Sequence, residues 1–340
     1  MNSPRTGHTA TVLSNGKVLV VGGTNITTFL NTADLYDPST GTWTSTNNLN
    51  DIRFGHTASL LTNGKVLVLG GTNFGNTNIS SAELYDPSTN IWTSIGSTNT
   101  LRQGHTATVL SDGKVLVVGG TQLQIYVFPT SSSELYDPST GTFTSTNNMS
   151  YPSSGHTATM LSNGKVLVCG GFYVNTSTAT IETSTRAELY DLSTGIWTLT
   201  GSMNTPRLGH TASLLSNGKV LVTGGTNSNL TIFYSSAELY DPSTGTWTMT
   251  GSMTNARVGH AVAVLTNGKV LVVGGYGANR DYYTTGEIYD PSTQIWSLTS
   301  NLKKARYGNT ASILSNGKVL VCGGLGENNN TLNTAELYTY

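Results

Sequence analysis

The sequence carries little charge. Asp, Glu, Lys and Arg make up 10% of the 340 residues, and the formal net charge is -1, whereas an ordinary soluble domain has roughly 25% charged residues. Nucleic acids and anionic membrane surfaces attract proteins over long distances through clustered positive charge. We therefore expect no nucleic-acid partner.

Long apolar runs are also missing. The longest, such as residues 16–23, stop after a few residues at a glycine pair, whereas a transmembrane helix needs about 20 apolar residues. We expect no transmembrane segment. Residues 1–8 contain no apolar signal-peptide core, so either secretion is not encoded or a leader has been removed.

A repeat fills the sequence instead. Each copy contains Arg-x-Gly-His-Thr-Ala or a close variant, then Asn-Gly-Lys or Asp-Gly-Lys, then Gly-Gly, and the interval from the His position to the second Gly is identical in every copy. The period is about fifty residues, and the repeats start near residues 5, 53, 102, 153, 207, 257 and 306. The His positions are His8, His56, His105, His156, His210, His260 and, as a variant, Asn309.

Two further spacings are constant. Tyr36 precedes Trp43, and Trp43 precedes His56, by intervals that recur in each later complete copy, with Phe in place of Trp in the third. All length variation therefore lies between Gly-Gly and Tyr. That gap is shortest in the first copy and longest in the fourth.

Local chemistry predicts four strands, a to d, in each copy. Two β-branched runs joined by Ser-Asn-Gly predict the a-b hairpin, and Ala-Glu-Leu-Tyr followed by Asp-Pro-Ser-Thr-Gly-Thr predicts strand c, a turn and strand d. One such sheet cannot bury both of its faces, but seven sheets packed around an axis can. The sequence therefore predicts an all-β, seven-bladed propeller with four-stranded antiparallel blades, forming a single domain over residues 1–340.

The Gly-Gly doublet followed by spaced Tyr and Trp resembles the kelch family over essentially the whole chain. The pattern also resembles the propellers grouped with galactose oxidase, and that resemblance implies a copper radical enzyme with two Tyr and two His ligands, one Tyr being cross-linked to a Cys. No Tyr-His dipeptide, which carries two of those ligands, occurs here, and every His and Cys belongs to the repeat. We therefore expect no cofactor, no metal, no catalytic residues and no enzymatic activity; an oxidase remains the least favoured alternative.

The repeated His and Cys residues have structural interpretations. Equivalent His residues on separate blades are spread around a ring and cannot share one metal ion, so we expect each to hydrogen-bond backbone within or between blades. Cys169 and Cys322 both precede Gly-Gly, in blades four and seven. We expect them to be buried free thiols, too far apart for a disulfide.

The seventh copy is incomplete. It ends at Tyr338-Thr339-Tyr340, so no Trp follows Tyr338, and Met1 falls where Met203 and Met253 fall in their repeats. We expect blade seven to lack its outer strand within this chain and to expose an edge formed by Glu336, Leu337 and Tyr338. Either an N-terminal strand missing from this sequence closes the ring, or another molecule donates a strand.

One face of the propeller is expected to bind partners. The a-b and c-d turns share a monotonous face, whereas the variable b-c and d-a loops share the other, which we call the loop face. Arginines before strand a should surround the channel mouth there, beside loop aromatics. The predicted contact residues are Arg5, Arg53, Arg102, Arg207, Arg257, Arg306, Phe74, Tyr126, Phe128, Tyr173, Tyr234, Arg280 and Tyr282.

Asn-x-Ser/Thr sequons offer sites for attached glycans, which would help so uncharged a surface to stay soluble. They lie at Asn25, Asn78, Asn148, Asn175, Asn229 and Asn329. We therefore expect an extracellular or secreted protein, with a cytoplasmic location as the alternative.

Two functions follow. The first is a non-enzymatic structural or interaction scaffold that associates with itself through the open edge of blade seven. The second is an adaptor-like kelch module that binds a peptide or a carbohydrate on the loop face.

Overall fold

The computed structural model describes residues 1–73, 77–123, 127–278 and 281–340. Within these ranges the regular elements are β-strands and one short 3-10 turn at Glu327–Asn329. No helix in the described part of the chain has the length and apolar character needed to cross a bilayer.

Antiparallel sheets repeat along the chain, each built from consecutive strands a, b, c and d. The inner strands a are β1 (Thr9–Val12), β5 (Thr57–Leu60), β9 (Thr106–Val109), β15 (Thr157–Met160), β21 (Thr211–Leu214), β25 (Ala261–Val264) and β29 (Thr310–Ile313). Strands b are β2 (Val18–Val21), β6 (Val66–Leu69), β10 (Val115–Val118), β16 (Lys165–Cys169), β22 (Val220–Thr223), β26 (Val270–Val273) and β30 (Val319–Cys322).

Strands c are β3 (Ala33–Asp37), β7 (Ser81–Asp86), β13 (Ser133–Asp137), β19 (Ala187–Asp191), β23 (Ala237–Asp241), β27 (Gly286–Asp290) and β31 (Ala335–Tyr338). Strands d are β4 (Thr42–Ser45), β8 (Ile91–Ser97), β14 (Thr142–Thr146), β20 (Ile196–Leu199), β24 (Thr246–Thr250) and β28 (Ile295–Thr299). Blade seven is the three-stranded sheet β29-β30-β31. The predicted seven-bladed propeller with an incomplete last blade is therefore confirmed.

Two blades carry an additional hairpin in the b-c loop. In blade three β11 (Thr121–Leu123) pairs with β12 (Val127–Pro129), and in blade four β17 (Phe172–Asn175) pairs with β18 (Thr180–Thr183). Both lie in the gap that the sequence shows to vary in length, so the variation enlarges the loop face and leaves the blades unchanged.

The Gly-Gly doublet has a steric cause. Gly22 has φ of 60°, and a Cβ atom there would lie 2.6 Å from the carbonyl oxygen of Arg53 in the next blade. A side chain would therefore meet both an unfavourable backbone conformation and a neighbouring backbone. The doublet lets strand b of one blade pass close to the start of strand a in the next.

The hydrophobic core lies between blades. Leu19 and Val21 of blade one pack with Val66, Val68 and Tyr85 of blade two. The opposite face of β2 uses its alternate residues, Val18 and Val20, which pack against Leu320 and Cys322 of blade seven. Because successive strand residues face opposite sides of a sheet, each strand b serves two interfaces, and blade seven closes the ring against blade one.

A belt of hydrogen bonds links the inner strands. His56 Nε2 shares a hydrogen bond of 3.0 Å with Thr9 Oγ1 of the preceding blade, and His8 Nε2 closes the ring with Thr310 Oγ1 at 3.2 Å. The histidines thus bridge blades, as the structural interpretation expected, although the partner of Nε2 is a threonine hydroxyl rather than a backbone group. Equivalent pairs are Thr57 with His105, Thr106 with His156, Thr157 with His210 and Thr211 with His260.

The interface between blades six and seven departs from this belt. Ala261 replaces the threonine and Asn309 replaces the histidine, and neither polar atom of the buried Asn309 amide has a hydrogen-bond partner among the described residues. The threonine and the histidine are therefore replaced together at the same interface, which indicates that the two residues of each belt hydrogen bond depend on each other.

Acid should weaken the belt. Burial lowers the pKa of His8, His56, His105, His210 and His260 to about 3 and that of His156 to about 4, whereas an unfolded His titrates near 6.5. The unfolded state therefore takes up protons first as the pH falls. Each buried neutral His should lose about 1.4 kcal/mol of stabilisation per pH unit below about 6.5.

We predict that the thermal unfolding midpoint falls steadily from pH 7 to pH 5, a window above the ordinary titration range of carboxyl groups. The matched variant combines Thr57→Ala with His105→Asn, which copies the natural interface between blades six and seven. It should show a shallower dependence on pH. Equal slopes for the two proteins would contradict this role of the histidines.

Candidate interaction surfaces

The arginine before strand a is the most connected side chain of a blade. In blade five, Arg207 Nη1 donates to the carbonyl oxygens of Gly224 (2.8 Å) and Ser236 (2.9 Å), and Nη2 donates to Ser236 Oγ (2.8 Å) and Glu238 Oε1 (3.0 Å). One guanidinium therefore ties the start of strand a to the Gly-Gly turn and to strand c. The equivalent ion pairs are Arg5–Asp34, Arg53–Glu83, Arg102–Glu134, Arg257–Glu287 and Arg306–Glu336.

These arginines do not form a contact surface. Their side chains are fully buried, with 0% exposure. Their guanidinium groups bind backbone carbonyls and a carboxylate inside the blade, so the prediction that they surround the channel mouth as contact residues is wrong. The residues concerned are Arg5, Arg53, Arg102, Arg207, Arg257 and Arg306.

The loop face does display aromatic rings. Phe128 is 54% exposed, and Tyr173, Tyr234 and Tyr282 are half-buried. Tyr234 lies over the buried Arg207, with 5.5 Å between the guanidinium carbon and the ring centroid, so part of its area packs on its own blade. The predicted contact residues Phe74, Tyr126 and Arg280 lie outside the described residues.

A tyrosine cluster spans blades six and seven on the loop face. The ring centroid of Tyr276 lies 5.3 Å from that of Tyr282 and 5.9 Å from that of Tyr307, and the Tyr282 hydroxyl donates to Asn329. Tyr307 was not among the predicted contact residues, because it lies inside the repeat motif, between Arg306 and Gly308. The residue type at this position is not constant in the repeat, since the first copy has Thr6 there. That variation could have identified Tyr307 as a candidate contact residue.

The face opposite the loop face, formed by the a-b and c-d turns, carries Lys–Asp ion pairs. Lys219 Nζ lies 3.0 Å from Asp241 Oδ2, and both side chains are partly exposed. Blade seven differs because Thr339 stands where the acid should be, and Lys318 has no ion pair among the described residues. The other pairs are Lys17–Asp37, Lys65–Asp86, Lys114–Asp137, Lys165–Asp191 and Lys269–Asp290.

The predicted open edge is β31, whose inner side pairs with β30 from Val319↔Tyr338 to Cys322↔Ala335. Leu337 is 46% exposed, whereas the equivalent side chains of the complete blades are half-buried or, for Leu239 in blade five, 5% exposed. Glu336 is paired with Arg306 at 2.8 Å and is 15% exposed, compared with 0% for Glu238. Blade seven therefore exposes side chains that a fourth strand covers elsewhere.

A groove of about 510 Å³ runs along this edge and against blade one. Its lining residues are Tyr36, Gly41, Trp43, Lys303, Lys304, Leu320, Thr334, Ala335, Glu336 and Leu337. Tyr338, in contrast, is buried, with 4% exposure.

The sequons differ in exposure. Asn148, Asn229 and Asn329 are exposed, and Asn25 and Asn175 are half-buried. Asn78 is 1% exposed, and its Nδ2 atom donates to the carbonyl oxygen of Thr121 at 2.6 Å. A glycan bonds to that nitrogen, so the prediction of a glycosylation site at Asn78 does not fit the folded chain.

The residues do not fit the copper centre implied by the galactose oxidase resemblance. The described residues contain no cluster of three His, Cys, Asp or Glu side chains that could hold a metal ion. Cys169 and Cys322 are free and buried as expected, and burial raises the pKa of these thiols to about 11 and about 12. A thiol held protonated in this way is poorly suited to ligation or cross-linking.

Family models match most of the chain. The model described as the KLHDC2/KLHL20/DRC7 Kelch-repeats domain matches residues 1–120 and 55–252, and the Kelch motif model matches residues 256–303. None of the curated proteins compared with the chain matches it.

A solved structure is similar in fold. It is described as a novel fungal alcohol oxidase with catalytic diversity among the AA5 family, in complex with copper. The TM-score is 0.79 and the sequence identity is 20%, covering 99% of this chain and 74% of that chain. At this identity the likeness extends to the propeller fold alone.

The burial of Arg207 predicts a large effect of its loss. Arg207→Met leaves Glu238 buried without a cation, which should lower the free energy of unfolding by about 3–5 kcal/mol. The matched control, Lys219→Met in the same blade, removes a solvent-screened pair and should have a much smaller effect. Urea unfolding of both variants tests this, and equal destabilisation would contradict a structural role for the arginine.

Proposed function

The chain belongs to the kelch-repeat family, and from that premise we propose that it is a non-enzymatic interaction scaffold that associates with further copies of itself through the open edge of blade seven. The observation that carries the proposal is the edge of β31, which has no strand-d partner in the described part of the chain, whereas strand c pairs with strand d in each complete blade. An unpaired strand edge is a template for strand addition, and the groove beside this edge is lined by both apolar and charged side chains.

Hydrogen bonds inside the complete blades support the insertion of a strand that carries a Trp at this edge. Trp197, Trp247 and Trp296 donate their indole N–H to a backbone carbonyl of the preceding blade, just after that blade's own strand d. The corresponding carbonyl for blade seven is that of Ser300, which instead accepts from the Tyr338 hydroxyl. An incoming Trp would therefore compete with the Tyr338 hydroxyl for this acceptor.

Charge at the edge favours insertion of a segment over symmetric pairing. Lys303, Lys304 and Lys318 have no ion pair among the described residues, and all three belong to blade seven or to the loop that leads into it. Two such edges repel each other when placed side by side. A segment with an acidic residue, inserted into the groove in a head-to-tail arrangement, offsets this charge.

An extracellular location belongs to the same proposal. Its support is the presence of exposed sequons at Asn148, Asn229 and Asn329 on a surface with few charges. None of these three residues is among those that line the groove of blade seven.

A second candidate function is an adaptor that binds a peptide or a carbohydrate on the loop face. The tyrosine cluster of Tyr276, Tyr282 and Tyr307 favours it, because clustered aromatic rings provide large contact areas at low entropic cost. This activity would not depend on Leu337, which separates the two functions experimentally.

We predict that Leu337→Lys weakens self-association at least tenfold, which corresponds to about 1.4 kcal/mol, because it places a charge on the edge that must be covered. The matched control is Leu298→Lys on β28, where the leucine is 60% exposed on a complete blade. Sedimentation equilibrium should show the control associating like the unmodified chain. A monomeric unmodified chain, or equal association of the two variants, would refute the proposal.

A further inference from the structure

Blade four differs from the other blades at two positions that normally contact each other. In blade five Arg207 donates to Ser236, which lies two residues before the strand-c acid. In blade four the arginine position holds Ser153 and the serine position holds Arg186. The two residue types have exchanged places.

The exchange leaves a buried carboxylate without a cation. Glu188 is 4% exposed and accepts backbone N–H groups from Ser150 (2.9 Å) and Tyr151 (3.3 Å), but it forms no ion pair with a Lys or Arg in the described part of the chain. The equivalent acids of the other six blades are ion-paired at 2.7–3.1 Å. A small cavity bordered by Ser153, Gly170 and Glu188 lies where the other blades hold a guanidinium.

Arg186 lies instead in an aromatic cleft. Its guanidinium carbon is 3.8 Å from the ring centroid of Tyr151 and 4.5 Å from that of Tyr173. No hydrogen bond or ion pair of the guanidinium is found among the described residues. The Tyr173 hydroxyl donates to Glu182 at 2.6 Å, so the described residues of the site include two carboxylates, Glu182 and Glu188, and one cation, Arg186.

We propose that blade four binds a second cation, the guanidinium or ammonium group of an Arg or Lys side chain on a protein partner. The partner's cation stacks between Tyr151 and Tyr173, and Arg186 turns inward to the carboxylate of Glu188. Arg186 directly precedes strand c and Glu188 lies two residues later within it, and residues two apart in extended backbone project to the same side. A cation held between aromatic rings and a buried ion pair are each favourable when desolvated.

The position suits a partner approaching the loop face. Tyr151 is 38% exposed and belongs to the d-a loop, and Tyr173 lies on the additional hairpin of blade four. The site is separate from the edge of blade seven, so the proposal goes beyond self-association and does not depend on it.

Calorimetric titration with N-acetyl-arginine amide tests the proposal, with the neutral isostere N-acetyl-citrulline amide as the ligand control. The arginine compound should bind at least tenfold more tightly, and Tyr151→Leu should weaken its binding at least tenfold. The matched protein control is Tyr283→Leu, since Tyr283 stacks at 5.2 Å on Arg257, whose acid partner is already paired. This control should bind like the unmodified chain.

Two further variants distinguish a specific loss of binding from a loss of folding. Ser153→Arg supplies the internal cation found in the other blades, so it should abolish binding without lowering the thermal midpoint. Arg186→Gln removes the competing cation and should tighten binding at least tenfold. Equal binding of the two ligands, unchanged binding by Ser153→Arg, or binding of N-acetyl-aspartate amide that Arg186→Gln abolishes would each overturn the proposal.

Discussion

Burial of both faces of every sheet is the constraint on which the propeller depends. No blade has a core of its own, because the residues of each strand b alternate between two neighbours, as Val18 and Leu19 do in blade one. A ring is the arrangement that leaves no sheet with a bare face. Buried arginine networks connect the strands of six blades, and the His-Thr belt joins the inner strands at every interface except that between blades six and seven.

The same constraint explains why blade seven is special. Both of its faces pack against neighbours, with Leu320 against blade one and Tyr338 against blade six. What remains unsatisfied is the edge of β31, where the groove lined by Leu337 follows the position of a fourth strand. Face packing thus closes the ring around three strands in blade seven, and the edge of β31 is where we propose that association occurs.

Much of this architecture could be predicted from spacing, because fixed intervals between hairpin, glycine doublet and aromatic residue determine equal blades. Burial could not be predicted in the same way. A repeated Arg and a repeated Glu have the same periodicity whether they face solvent or each other, and Arg207 and Glu238 lie far apart in the sequence. The positions that depart from the repeat carry information about burial. They change in pairs, Ser153 with Arg186 and Ala261 with Asn309, and each pair identifies two residues that are in contact in the other blades. The contacts of the loop face were harder to predict from the sequence, because side-chain directions in loops of variable length do not repeat with a fixed period.

The central claim is that association covers the unpaired edge of β31. Amide hydrogen exchange measures the protection of this edge directly. Residues 335–338 should be compared with the equivalent strand 286–290 of blade six, in dilute protein and in associated protein. The outward amides of 335–338 should exchange much faster than those of 286–290 in the dilute state and become protected on association. Equal protection of both strands in dilute protein, or exchange at 335–338 that association leaves unchanged, would contradict the account.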